Sequence, residues 1–172
     1  MEKKLVLFLD FDGVLHPDAT YLVRGRPILR ADGHLFMWAD RLITLLAHSP
    51  NVDIVLSTSW VRDLGFSRAR AYLPVELQHR VVGATWHSAM GRNADGFKKS
   101  VAWWDNVSRY EQIRRWVDRA DVQNWIAVDD QPSGWAVSDL SNLIQTDSDV
   151  GLSGHTSFFN LSMALQNLAS RQ

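Results

Sequence analysis

The apolar run KLVLFLD at the start of the chain stops abruptly at Asp10. A run without alternation, rich in strand formers, predicts a parallel strand buried on both faces. Leu35, Trp38, Leu42, Leu45 and Leu46 then recur at helical spacing, and Ser49-Pro50 closes that helix. VDIVLS at 52–57 reads as the next strand, residues 62–73 as a helix, and HRVVGAT at 79–85 as a third strand. A polar stretch at 86–107 reads as loop. Ser108 opens a helix with Ile113, Trp116 and Val117 on its inner face. NWIAVD at 124–129 is another buried strand, 135–143 a short helix, and LIQT at 143–146 an edge strand. A last helix carries Phe158, Leu161, Leu165 and Leu168.

Strands alternating with helices predict an α/β fold, a doubly wound parallel sheet in three layers, α/β/α. Repeats and linkers are absent, so residues 1–172 are expected to form a single domain. YLVRGRPIL at 21–29 reads as a hairpin turning at Gly25, within a small flap at about 14–33. In such a sheet, ligands bind beyond the carboxyl ends of the strands. The residues found there therefore carry the functional information.

The first strand ends in FLDFDGVLHP, with Asp10 and Asp12 two apart and Gly13 allowing a sharp turn. A simple Asp-Gly turn is the bland account, and a calcium loop lacks its further acidic ligands. The second strand ends in DIVLSTSW, offering the Ser57 hydroxyl and the backbone N–H groups that follow it. IAVDDQ ends a later strand in two adjacent carboxylates, which repel each other unless a cation or solvent relieves them.

Asp-x-Asp, then Ser, then Asp-Asp, in that order, resembles the haloacid dehalogenase superfamily of phosphohydrolases over about residues 5–147. DGVLHP, VLSTSW, SRYEQI, VDDQ and TDSDVGLS further resemble a small capless subfamily that includes domains of multifunctional RNA-repair proteins. The resemblance implies a Rossmann-like core and an aspartyl-phosphate mechanism with Asp10 as nucleophile. Asp12 would protonate the leaving oxygen and then activate water. Magnesium would be held by Asp10, Asp130 and the Asp12 backbone carbonyl, with Asp129 orienting that shell. Ser57 would bind a phosphoryl oxygen. Gly13, Thr58 and Lys99 are the further candidates for contact with the substrate.

The family usually supplies a lysine as the phosphate-neutralising cation. Here Ser108 and Glu111 form a capping box that puts Arg109 at the first helical position, where its charge opposes the helix dipole. An anion shared by Arg109 and the helix N-terminus would explain the choice. Lys98 and Lys99 are its competitors. Of the tryptophans, Trp38, Trp116 and Trp125 fall at core positions, whereas Trp60 and Trp135 follow motifs and are candidates for walls of the site. His16 sits just past the first motif and is expected to stabilise the turn, with contact to the leaving group as the alternative.

Composition narrows the picture further. The chain has no cysteine, which excludes disulfides, thiolate metal sites and cysteine nucleophiles. The first apolar run is too short for a signal peptide or membrane span, so a cytoplasmic protein with no membrane partner is expected. Residues 62–119 hold 11 basic and 6 acidic side chains, and residues 120–172 hold 1 and 6. A basic segment beside an acidic one suits an anionic substrate near a metal. Only about 40 residues separate Gly13 from Asp53, too few for the cap domain common in the family. An open site suits a bulky phosphorylated partner, such as a nucleic-acid end or nucleotide. A non-catalytic phosphate- or nucleic-acid-binding module is the alternative. A dinucleotide-binding oxidoreductase lacks its glycine motif.

Overall fold

The computed structural model describes residues 5–91 and 103–169. Its strands are β1 (Leu5–Leu9), β2 (Thr20–Val23), β3 (Arg26–Leu29), β4 (Val52–Leu56), β5 (Val81–Ala84), β6 (Asn124–Asp129) and β7 (Leu143–Gln145). Its helices are α1 (Ala39–Leu46), α2 (Ser59–Leu64), α3 (Phe66–Ala71), α4 (Val75–Gln78), α5 (Arg109–Ala120) and α6 (His155–Ala169).

β1 lies at the centre of a five-stranded parallel sheet of order β5-β4-β1-β6-β7. Burial on both faces explains its wholly apolar sequence. Leu5, Leu7 and Leu9 join one core cluster, which also takes in Leu42 and Leu46 of α1, Val61 of α2 and Leu161 and Leu165 of α6. Val6 and Phe8 join the opposite cluster, under Ile113 and Val117 of α5 with Trp125 and Trp135. The sheet is thus covered on both sides, as the alternation of strands and helices predicts. The chain leaves β1 for β4 and β5 in one direction and returns to β6 and β7 in the other, so β1 borders the crevice where such sheets bind ligands.

Several elements depart from the sequence reading. The helix expected at 62–73 is two short ones, α2 and α3, broken at Gly65 with φ +86°. α4 follows them and has no expected counterpart. The helix expected from Leu35 begins only at Ala39, because Phe36 takes a left-handed φ of +60° that a helix cannot continue through. The stretch at 86–107, expected to be loop, includes short 3-10 turns at Ser88–Gly91 and Trp103–Asn106. The short helix at 135–143 is a 3-10 turn, Val137–Asn142. Between β1 and β4 the chain forms only the antiparallel β2–β3 ribbon and α1, and no cap domain is evident among the described residues. No described helix is long and apolar enough to cross a membrane.

The TDSDVGLS segment after β7 folds back on the loop after β1. Thr146 Oγ1 donates to Gly13 O at 2.6 Å, Asp18 N to Ser148 O at 2.8 Å, and Leu152 N to Val14 O at 3.0 Å. Arg41 of α1 secures this return by donating to Leu152 O at 2.7 Å. Gly151 makes the close approach possible. Its φ is +45°, and a Cβ there would lie 2.4 Å from Val14 O. Gly151→Ala should therefore lower the unfolding free energy by roughly 2 kcal/mol or more, combining left-handed strain with a backbone clash. Denaturant unfolding measures this, and an unchanged midpoint would show that the two loops do not depend on each other.

Candidate active site

Asp10 follows the last residue of β1, and beside it Asp129 ends β6 and Asp130 follows. Each offers a carboxylate oxygen, and these atoms lie within 4.8 Å of one another. All three residues are buried. Unit charges at that separation repel by about 3 kcal/mol at an effective dielectric near 20. Burial pushes the Asp10 carboxyl well above the usual range, the Asp129 charge pushes it further, and Arg109 pulls it back. Burial likewise lifts Asp129 to about 6, against the pull of Arg109. Asp130 is raised mainly by burial, with the hydrogen bond from Ser148 at 2.9 Å opposing.

Arg109 supplies the compensating charge among the described residues. The Ser108–Glu111 capping box is formed, with Ser108 N donating to Glu111 Oε2 at 2.7 Å and Glu111 N to Ser108 Oγ at 3.2 Å. It starts α5 so that Arg109 reaches Asp129 Oδ2 with Nε at 3.2 Å and Asp10 Oδ1 with Nη2 at 3.9 Å. One guanidinium faces three carboxylates, and Asp129 Oδ2 is buried without an aligned hydrogen bond. Hard oxygen donors, incomplete neutralisation and a buried oxygen that meets Arg109 only in an unaligned ion pair all fit a divalent cation.

Gly13 lets this cluster close. A Cβ on it would lie 2.4 Å from Asp130 Oδ2, and its φ is +71°. Its N–H is donated to His16 O and its carbonyl accepts from Thr146, so the backbone groups of Gly13 are already engaged. Ser57, the first residue after β4, is buried beside β1 and its Oγ has no partner. Thr58 caps α2, its hydroxyl accepting from Trp60 N at 3.4 Å. Lys98 and Lys99 lie outside the described residues.

Asp12 faces a different environment from Asp10. Trp60 Nε1 donates to its Oδ2 at 2.8 Å, and His16 Nε2 lies 3.1 Å from its Oδ1. A cavity of about 70 Å³ between the β2–β3 ribbon and α2 is lined by Asp12, Trp60, Thr20, Leu22 and Pro27 among others. Larger hollows of about 400 Å³ lie around α6 and contain none of the four aspartates. Trp60 thus borders the site, whereas Trp135 packs against Trp125 and Tyr110 in the second core cluster. Sequence reasoning did not single out Ser148 or Thr146, whose only signal was the TDSDVGLS resemblance. It favoured a turn role for His16 over contact with the leaving group.

A family model described as "HAD domain in Swiss Army Knife RNA repair proteins" matches residues 6–156. No curated protein matches the chain.

The raised carboxyls have a consequence for stability. Asp129 titrates near 6 when folded, against 3.8 ordinarily, so the folded state holds protons that the unfolded chain releases. Without a metal, this group's contribution to stability should fall as pH rises from about 4 through 6. A cation competes with those protons. The rise in Tm on adding magnesium to chelator-treated protein should therefore be larger near pH 7.5 than near pH 5. Thermal scans test this, and a magnesium shift that is equal at both pH values would remove the cluster as a cation site.

Proposed function

The chain belongs to the family of HAD domains in Swiss Army Knife RNA repair proteins, and from that membership we propose that it is a magnesium-dependent phosphatase acting through an aspartyl-phosphate on Asp10. The observation that carries this reading is the gathering of three buried aspartates opposite Arg109, beside an unpartnered Ser57 hydroxyl. A core gains nothing from such a cluster, because burying like charges destabilises it. Binding alone does not require a nucleophile either.

In this reading the Asp10 carboxylate attacks phosphorus, and Asp12 gives a proton to the departing oxygen. Asp12 then takes a proton from the water that hydrolyses the acyl phosphate, and Asp10 returns as carboxylate. Ser57 holds a phosphoryl oxygen. Arg109 neutralises charge on the transferring group, where it matters most in the transition state. Asp10, Asp130 and the Asp12 carbonyl would hold the magnesium, with Asp129 orienting them. When bound, the ion offsets carboxylate charge and lets an anionic nucleophile approach an anionic phosphate.

The substrate is a bulky phosphomonoester, with a nucleic-acid end or nucleotide favoured. Its support is the family's link to RNA repair, the lack of a cap among the described residues, and the exposed Arg24 and Arg26 on the ribbon beside the site.

Asp10→Asn should abolish hydrolysis of an aryl phosphate while preserving the fold, since the amide is near-isosteric but not nucleophilic. Retention of more than roughly a few per cent of the rate would remove Asp10 from that role. Phosphorylated oligonucleotides should show higher kcat/KM than small sugar phosphates, with an advantage that shrinks as salt rises. Arg24→Ala combined with Arg26→Ala should erode that advantage and spare aryl phosphate turnover. A sugar phosphate emerging as the best substrate of a broad screen would refute the open-site argument.

A further inference from the structure

His16 is fully buried four residues beyond Asp12, an unusual place for a polar ring unless its nitrogens are occupied. Both are. Phe36 N–H donates to Nδ1 at 3.2 Å, which makes Nδ1 the acceptor and assigns the ring proton to Nε2. Nε2 faces Asp12 Oδ1 at 3.1 Å. The second Asp12 oxygen accepts from Trp60 Nε1 at 2.8 Å, and an indole N–H is a donor only. Each oxygen of Asp12 thus takes one bond from a donor that cannot reverse its role.

The donors are themselves immobilised. His16 packs edge-on to Phe36 with centroids 4.9 Å apart, Phe36 edge-on to Trp60 at 5.3 Å, and Phe11 against Trp60 at 5.5 Å. Tyr72 closes on Trp60 at 5.2 Å. Phe36 delivers its N–H from a left-handed φ of +60°, a costly conformation for a non-glycine residue that the surrounding packing maintains. Trp60 comes from the segment after β4 and His16 from the turn after β1, so two separate strand ends converge on one carboxylate.

We propose that His16, in the tautomer set by Phe36, and Trp60 are positioning residues that hold Asp12 in the orientation for proton transfer. This rests on the acid–base role given to Asp12 above. As the bond from phosphorus to the leaving oxygen breaks and the bond to Asp10 forms, the Asp12 proton passes to that oxygen. In the second half Asp12 accepts a proton from the attacking water. A carboxyl oxygen has two lone-pair positions, so the clamp uses one on each oxygen and leaves another for the transferred proton. A purely structural network would stabilise the turn without regard to the leaving group.

That difference supplies the test. Proton donation matters for an alkoxide leaving group and hardly at all for a nitrophenolate, so kcat/KM, which ends at phosphoryl transfer to Asp10 and leaves out hydrolysis of the acyl phosphate, is compared across phosphomonoesters spanning the two. Trp60→Phe, which keeps the ring packing, and His16→Leu should each lose roughly ten- to hundredfold on an alkyl phosphate and no more than about threefold on the nitrophenyl ester. His16→Gln, whose amide N–H falls near the position of Nε2, should restore most of the alkyl phosphate rate. A uniform loss across the series, or no loss in folded Trp60→Phe, would overturn the proposal. If His16→Leu fails to fold, Trp60→Phe decides alone. Asp12→Asn is the reference: a loss independent of the leaving group would unseat the acid–base role itself, whereas a leaving-group-dependent loss confined to Asp12→Asn would reject only the clamp.

Discussion

Asp10, Asp129 and Asp130 present oxygens within 4.8 Å of one another in a place largely closed to water. Neither hydration nor one guanidinium can cancel that repulsion, so the surrounding structure must hold the three together against it. Parallel pairing of β1 with β6 sets Asp10 beside Asp129, and the capping box of α5 brings Arg109 over both. The turn after β1 comes so close to the Asp130 carboxylate that the residue facing it has to be glycine. Electrostatic demand at one point thus dictates backbone choices around it, and a cation is the economical relief.

The same demand links the far edge of the sheet to the centre. Thr146 and Ser148 follow β7, yet one holds the Gly13 carbonyl and the other the Asp130 carboxylate. Leu152 and Gly151 press on Val14 in the same turn. Stability of this return segment and geometry of the acidic cluster are therefore coupled. The β2–β3 ribbon stands differently, exposing Tyr21, Leu22 and Ile28, with Arg68 tying its tip through Gly25 O at 2.9 Å. It borders the cavity at Asp12 without bearing on the cluster.

Two aspartates only two residues apart receive opposite treatment. Asp10 is desolvated among other acids, while Asp12 has both oxygens held by N–H donors and keeps 21% of its side chain exposed. In the proposed mechanism, environment rather than residue type separates the nucleophile from the proton carrier. The apolar rings around His16 and Trp60 give that division its rigidity.

Much of this was legible from the chain alone. A strand buried on both faces must stay apolar, so the first polar residue marks its tip, and Asp10, Ser57 and Asp129 stand at or next to such tips. The capping box was legible too, since its partners are three residues apart. Secondary-structure limits were less so: the left-handed Phe36 and the break at Gly65 answer to packing between elements, not to helical spacing. The links that orient the site span 20 residues from His16 to Phe36, 48 from Asp12 to Trp60 and 133 from Gly13 to Thr146. Periodicity states which face of an element is buried and where the element stops. It carries no term for which distant side chain will arrive opposite a given carboxylate, because strand order and loop paths set that only when the sheet is assembled.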